Sequence, residues 1–467
     1  MLSLNLFDIL IIIFFFITVV GIGFWAGRKS SGEPDDYILS GRQVGLKLFV
    51  LTTVSTWYGG ILGVGEFTYR YGIVSWFTQG FPYYIFAFLF AIFFARKIRE
   101  ASLFTIPDKL REVYGKEAGL LSAVIVFLLV SPAPYLLMTA NLISLIFDIN
   151  LIYSLLLALF LSLIYLFRGG YRADLYTDVI QFFVMFAGFI LIFIFCYNYA
   201  GGLDYLSKSL PPEHLKLDGG TSITFIIVWF LIAMWTFADP GFHQRCYAAK
   251  NGNVAVKGII ISIFFWFIFD FLTTSTGLYA RALLPDIKSP VTAYPLLSGV
   301  VLPNGLRGIF YAAMFATIMS TTNSFLFLSA TTIGRDFIFR LSGDAKENRL
   351  KSYTVIGLAV SGLFAVVLAY TIPSVIEIWY TIGSLCIPSI ILPVISSYYS
   401  VIRVKRKIII AEMILSLTAG TTWYFIRDNF NYDIYIIEPM LVGVIIAVII
   451  HFSGLLAEKF SSSTKIK

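Results

Sequence analysis

Two stretches decide how this sequence folds: Ser55-Thr56-Trp57-Tyr58-Gly59-Gly60, followed by Gly63 and Gly65, and Trp235-Thr236-Phe237-Ala238-Asp239-Pro240-Gly241. Each lies inside an apolar run long enough to cross a bilayer. Glycine weakens a helix, and proline deletes a backbone donor and clashes with the preceding turn. Backbone left unpaired at membrane depth survives only inside protein or beside a water-filled cavity. Taken singly, the glycines allow close helix packing and Pro240 makes a plain kink. The two breaks, however, lie five spans apart, so they occupy equivalent places in two successive halves that face opposite ways. Paired interruptions in inverted repeats point to a central binding site between them.

The rest of the chain fits that frame. Of its 467 residues 58% are hydrophobic and 13% charged, against roughly 25% charged in a soluble domain. Apolar runs divide it into about 13 spans. They fall near 6–27, 48–71, 73–95, 118–147, 151–167, 174–199, 222–245, 256–284, 306–338, 352–371, 374–400, 408–426 and 436–457. The predicted fold is an all-α integral membrane protein with a five-plus-five inverted repeat and discontinuous core helices 1 and 6. Residues 1–47 form a leading helix and inner loop, 48–199 the first repeat, 200–400 the second, and 401–467 two trailing helices and a tail.

Charge sets the expected direction. With the N-terminus outside, the outer gaps hold only Arg70, Lys208, Lys216, Arg281, Lys288, Arg307 and Arg427, and the remainder of the 34 Lys and Arg lie inside. The positive-inside bias therefore predicts an outer N-terminus and a cytoplasmic C-terminus in a cell (inner) membrane. The net charge of +7 sits in gaps between apolar runs, which suits anionic lipid headgroups rather than nucleic acid. Cys196, Cys246 and Cys386 lie far apart, and His243 beside Cys246 is the one pair with metal-ligand spacing. The run from Leu6 to Gly27 has neither a basic start nor a small-residue cleavage site, and reads as a retained span. No gap is long enough for a soluble catalytic domain, there is no Gly-x-x-x-x-Gly-Lys motif, and no nucleophile–base pair lies at membrane depth. An enzyme is not expected.

Several ordered segments carry a more specific resemblance. They are Asp36-Tyr37-Ile38-Leu39-Ser40-Gly41-Arg42, Thr105-Ile106-Pro107-Asp108 with Tyr114-Gly115, Gly169-Gly170-Tyr171-Arg172-Ala173 with Thr177-Asp178-Val179-Ile180-Gln181, Gln244-Arg245 with Ala248-Ala249-Lys250, and Ala316-Thr317-Ile318-Met319-Ser320-Thr321-Thr322-Asn323-Ser324. In that order they resemble the sodium:solute symporter family, whose members share the leucine-transporter-like fold. The resemblance implies Na+ as coupling ion. It assigns a common sodium site to the hydroxyls of Ser320 and Thr321 and the backbone carbonyls of Val54, Trp57 and Thr317. Oxygen ligands suit a hard cation; hydroxyls in a membrane helix also bond to their own preceding turn or to neighbouring helices. In some members a second site is completed at positions matching Asp178, Ser320, Asn323 and Ser324. An ionisable Asp178 at that depth needs a partner, and the sequence equally allows a pair with Arg168 or Arg172.

A solute lying beside both breaks would meet Thr56, Trp57 and Tyr58 from core helix 1, Trp76 and Tyr83 from core helix 2, Trp235 and Asp239 from core helix 6, and Trp379 from core helix 10. Ser55 to Gly60 with Glu66, Tyr69 and Gly72 is most similar to the choline-transporter branch, in which an aromatic cage holds a quaternary ammonium. Trp57, Tyr83 and Trp379 match cage positions. Two positions depart: the helix 3 aromatic falls at Ser131, with Tyr135 one turn away, and the helix 6 tryptophan falls at Asp239. Simple packing accounts equally well for Trp76 and Trp235 in a chain that is 17% aromatic. No arginine is expected in the central part of core helices 1, 2, 3, 6 or 10, which favours a cationic, zwitterionic or polyhydroxylated solute over an acidic one. The function implied is sodium-coupled symport of a small polar organic solute by alternating access. A solute sensor of the same fold and a proton-coupled carrier are the alternatives.

Overall fold

The computed structural model describes residues 4–30, 33–342, 349–427 and 437–464. Among them the chain is helical throughout, apart from loops and one isolated parallel bridge between Val44 and Ala249. Helix α1 (Leu6–Gly27) starts with a reciprocal cap, in which Asn5 accepts from the Asp8 amide and Asp8 from the Asn5 amide. Its Phe7, Phe14 and Ile17 are exposed, as lipid-facing side chains are. Asp8 is nonetheless buried, and its Oδ1 accepts from the amides of Gly305 (2.8 Å) and Gly308 (2.7 Å).

The first break is sharp. Helices α2 (Leu46–Trp57) and α3 (Ile61–Tyr71) are bent by 54° across Tyr58–Gly60. Next come α4 (Val74–Ala101), the short α5 (Ile106–Tyr114), and α6 (Lys116–Leu129) followed by α7 (Ala133–Phe147). The α6–α7 interruption, at Ser131-Pro132-Ala133-Pro134, was not expected from the sequence; its cause is the two prolines, which remove two donors within a single turn and leave Pro134 in the first turn of α7. Helix α8 (Leu151–Ala200) has 50 residues, about 75 Å at 1.5 Å per residue and well over the membrane core. It bends at Gly170, whose φ of 54° and ψ of −143° are not helical and where a Cβ would run into the Tyr37 backbone.

The second break separates α9 (Ile223–Ala233) from α10 (Pro240–Ala248). Then follow α11 (Gly252–Leu283), α12 (Leu306–Phe339), α13 (Leu350–Thr371), α14 (Val375–Tyr398), α15 (Arg406–Ile426) and α16 (Pro439–Thr464). Among the described residues eleven helices are long and apolar enough to cross a membrane, and the bent α2–α3 pair makes up to twelve. About 13 were expected; the difference lies in α8, where the two spans read from the sequence, 151–167 and 174–199, run on from one another across the kink at Gly170 and count as a single continuous helix. Helix α12 is the innermost, with 89% of its most apolar window buried, and it packs along α8 and α2. That burial explains its composition: a helix with no lipid face is free to carry hydroxyls on every side, provided neighbours satisfy them.

Candidate functional site

The last four carbonyls of a helix have no partner within it, and in α2 these belong to Val54, Ser55, Thr56 and Trp57. Hydroxyls of α12 meet this turn. Thr321 Oγ1 donates to the Thr56 carbonyl (2.6 Å), and Ser320 Oγ lies 3.2 Å from both Ser55 Oγ and Thr56 Oγ1. Ser320 also donates to Asp178 Oδ1 (2.6 Å), and Thr56 Oγ1 donates to Asp178 Oδ2 (3.1 Å). Val54 and Thr317 are fully buried beside them. The Thr317 hydroxyl donates along its own helix to Ala313 O (2.6 Å). Glycine at position 59 is required here, because a Cβ would collide with the Thr321 side chain.

Of the set for a second site, Asp178, Ser320 and Ser324 converge, and Asn323 does not. Its amide donates to the Tyr165 hydroxyl instead. Asp174, one turn before Asp178, was missed in the sequence; its Oδ2 accepts from Ser324 at 2.5 Å. Asp178 pairs with neither Arg168 nor Arg172, since Arg172 bonds to Asp36 and Arg168 is exposed. Its cationic neighbour is Arg245, 3.8 Å away. This corrects the expectation that no arginine reaches the centre of core helix 6. Side chains of a helix lean toward its N-terminus, and the break at Asp239 makes α10 only nine residues long. Arg245 therefore reaches back over one turn: Nη1 donates to Gly241 O (3.2 Å), and Nη2 to Thr56 Oγ1 (2.6 Å), Ser324 Oγ (3.4 Å) and Thr52 O (3.5 Å).

The second break is self-capped. Asp239 Oδ1 accepts from the Gly241 (2.6 Å) and Phe242 (3.1 Å) amides at the start of α10, so one of its oxygens is committed before any solute arrives. Between the two breaks lies a cavity of about 300 Å³. Thr56, Trp57, Tyr58 and Trp76 line it, as do Tyr83, Tyr135, Trp235, Asp239 and Trp379, so all nine residues expected at a solute pocket are brought together. Trp57 is wedged among Trp266, Tyr83 and Phe242, with ring centroids 4.8, 5.0 and 5.6 Å away. Tyr135 contacts Trp379 (5.9 Å). Tyr58 is turned toward α11, its hydroxyl donating to Trp266 O at 2.8 Å. Asp270 was missed, although an acid inside an apolar span is itself a signal. It lines the cavity and accepts from Tyr84, whose hydroxyl accepts from Trp76 Nε1 (3.2 Å).

The cavity extends along α3 and the first turns of α4 toward the Tyr71 end. Toward the Ala248 end the helices are tied shut. Tyr247 and Tyr398 share a hydroxyl–hydroxyl bond (2.9 Å), Arg99 Nε donates to Ala249 O (2.5 Å), and Asp108 of α5 binds Arg335 of α12 and Arg340 just past its end. Burial disfavours the charge on Asp108, but the two guanidinium groups outweigh it and hold the carboxyl below its ordinary value.

The sodium:solute symporter family model matches residues 37–400. This chain belongs to the sodium:solute symporter family. Its similarity to individual members is even: it is 26% identical over 417 residues to high-affinity choline transporter 1 of Caenorhabditis elegans, covering 82% of this chain and 72% of that one. It is 27% identical over 423 residues to the sodium/glucose cotransporter of Vibrio parahaemolyticus, covering 78% and 75%. The fold is that of a Na+-coupled sialic acid symporter in a substrate-bound outward-open state, with a TM-score of 0.84 over 98% of both chains at 15% identity. The architecture of this symporter is thus the five-plus-five inverted repeat with discontinuous first and sixth core helices, and its coupling ion is sodium.

Proposed function

We propose that this symporter carries a small cationic or zwitterionic solute, bound in the aromatic cavity, together with sodium held where α12 meets the end of α2. The single observation behind this reading is the convergence of Ser320 and Thr321 on the unpaired last turn of α2, directly beside the ring-lined cavity. Val54, Trp57 and Thr317 complete the ion's oxygens through their backbone. Sodium there fastens α2 to α12 and fixes Trp57, whose ring forms one wall for the solute; ion and solute thereby favour each other. A cation over Trp57, Tyr83 or Trp379 gains about 0.5–2 kcal/mol per ring, and Asp239 and Asp270 present carboxyl oxygens to the same cavity. An acidic solute is disfavoured because Arg245, the cavity's cation, is already bonded.

With the N-terminus outside, the Tyr71 end, toward which the cavity extends, faces outward and the tied Ala248 end faces the cytoplasm. Alternating access then consists of closing the cavity above the solute and releasing the Asp108 and Tyr247 contacts below it. Each positive charge moved inward gains about 2.3 kcal/mol per 100 mV. The test is thermal stability of the purified protein with choline, a betaine, glucose, sialic acid and neutral amino acids, each in sodium and in potassium. A quaternary ammonium that stabilises only in sodium supports the reading; stabilisation by an acidic solute alone, or independent of the cation, overturns it.

A further inference from the structure

We propose that the solute of this symporter is a dication, a short diamine whose two terminal ammonium groups bind Asp239 and Asp270 at once. The proposal rests on the cationic reading of the aromatic cavity and narrows it to one charge pattern. Of the residues lining the cavity, only Asp239, Asp270 and Arg245 are of a charged type. Arg245 is already engaged: it lies 3.8 Å from Asp178 and donates to Thr56, Ser324 and Gly241 O. Among the described residues no ion pair involves Asp239 or Asp270, although they are only 5% and 9% exposed. Neither lies in the segments that carry the family resemblance, so both bear on this chain's own solute.

Each carboxyl is fixed by its own element. Asp239 Oδ1 is held by the Gly241 and Phe242 amides of α10. Asp270 of α11 accepts from the Tyr84 hydroxyl, to which Trp76 Nε1 donates in turn (3.2 Å). Gly80 makes room for it, since a Cβ there would sit 2.7 Å from Asp270 Oδ2. The Trp57 ring joins the two: it packs on Phe242, one turn after Asp239 (5.6 Å), and on Trp266, one turn before Asp270 (4.8 Å).

At membrane depth an acid without a basic neighbour is satisfied by a proton or by an incoming cation. A primary ammonium brings a charge and three N–H donors to a carboxylate; a quaternary ammonium has no N–H to donate. A single ammonium serves one acid and leaves the other. Two on an apolar tether serve both, with the methylenes against the Trp57 and Tyr83 rings. A cavity of about 300 Å³ is at the small end of ligand sites, which suits a short tether rather than a long polyamine.

The experiment measures the affinity of the full-length purified protein for putrescine, cadaverine, pentylamine and choline by isothermal titration, in sodium and in potassium. In sodium, one of the diamines is expected to bind at least about tenfold more tightly than pentylamine or choline, the factor that a second charge-assisted hydrogen bond supplies. Asp239→Asn and Asp270→Asn should each bring that diamine down to the affinity of pentylamine. Pentylamine or choline binding as tightly as the diamines overturns the proposal and leaves the cationic reading intact. A diamine preference that both variants keep overturns it as well. Binding of none of the four amines overturns the cationic reading itself. If one variant does not fold, the other variant and the wild-type ratio of diamine to pentylamine decide.

Discussion

The two broken spans solve one problem in opposite ways. Both free backbone groups at membrane depth, where each needs a partner. The α2–α3 break has no charge of its own: its carbonyls and hydroxyls face Ser320 and Thr321, and it is assembled from oxygens. The α9–α10 break brings charges with it, Asp239 capping the free Gly241 and Phe242 amides at the start of α10 and Arg245 reaching back to Gly241 O. A break made of oxygens suits an exchangeable cation; a break that caps itself holds its shape without one. The difference teaches that matching positions in an inverted repeat need not carry matching chemistry.

Four experiments sharpen that contrast. The largest effect is expected at the oxygen-built break: Ser320→Ala/Thr321→Ala abolishes sodium-stimulated uptake into proteoliposomes, while circular dichroism and gel filtration stay as in the wild type. Retained sodium dependence breaks the comparison. At the charged break, Asp239→Asn keeps an acceptor for the α10 amides and loses the charge, so a cationic solute should bind about tenfold more weakly with the sodium midpoint unmoved; Asp239→Ala should in addition lower stability by about 1 kcal/mol, as lost caps do. A Cβ at Gly60 would press on the Trp379 ring. Gly60→Ala is therefore expected to raise the solute KM a few-fold and leave sodium binding alone, readable from paired titrations.

The smallest effect concerns pH. The Asp108 carboxyl is held below its ordinary value of 3.8 in the folded protein by the Arg335 and Arg340 guanidinium groups. Its contribution to the closed Ala248 end is thus fully present above that value and lost only as pH falls through the lower, folded one. Maleimide labelling of the buried Cys246, with Cys196 and Cys386 replaced by serine and each rate divided by that of the denatured protein at the same pH to remove the change in thiolate fraction, should stay slow from about pH 5 to 8 and rise in Asp108→Asn. A relative labelling rate that climbs as pH drops from 8 to 5 would assign that closure to another group.

Much of this was written in the sequence where the signal is local. Gly59, Gly60 and the Asp239-Pro240-Gly241 triplet announce their breaks because propensity alone disfavours helix there, and the aromatics meet at the cavity because both breaks do. The Ser131–Pro134 interruption carried the same signal in Pro132 and Pro134 and was passed over within a long apolar run. Arg245 was invisible for a different reason: its sequence position places it at the end of a span, and only the shortness of α10 and the reach of its side chain bring it to the centre. Asp174 and Asp270 stood in plain view as acids in apolar runs, but which partner satisfies each, Ser324 or Tyr84, is a fact of three-dimensional neighbours. No spacing along the chain encodes it.

One small contact also sets a timetable for synthesis. Asp8, near the start of α1, receives its amide partners from Gly305 and Gly308, 297 and 300 positions later in the chain. At roughly 5–20 residues per second, about 15–60 s of translation separates the carboxylate from its partners. Throughout that interval most of the later helices enter the bilayer while a polar group at the edge of the nascent bundle waits for them. The leading helix thus packs on α8 well before α12 is made, and only its Asp8 carboxylate waits for the later partners.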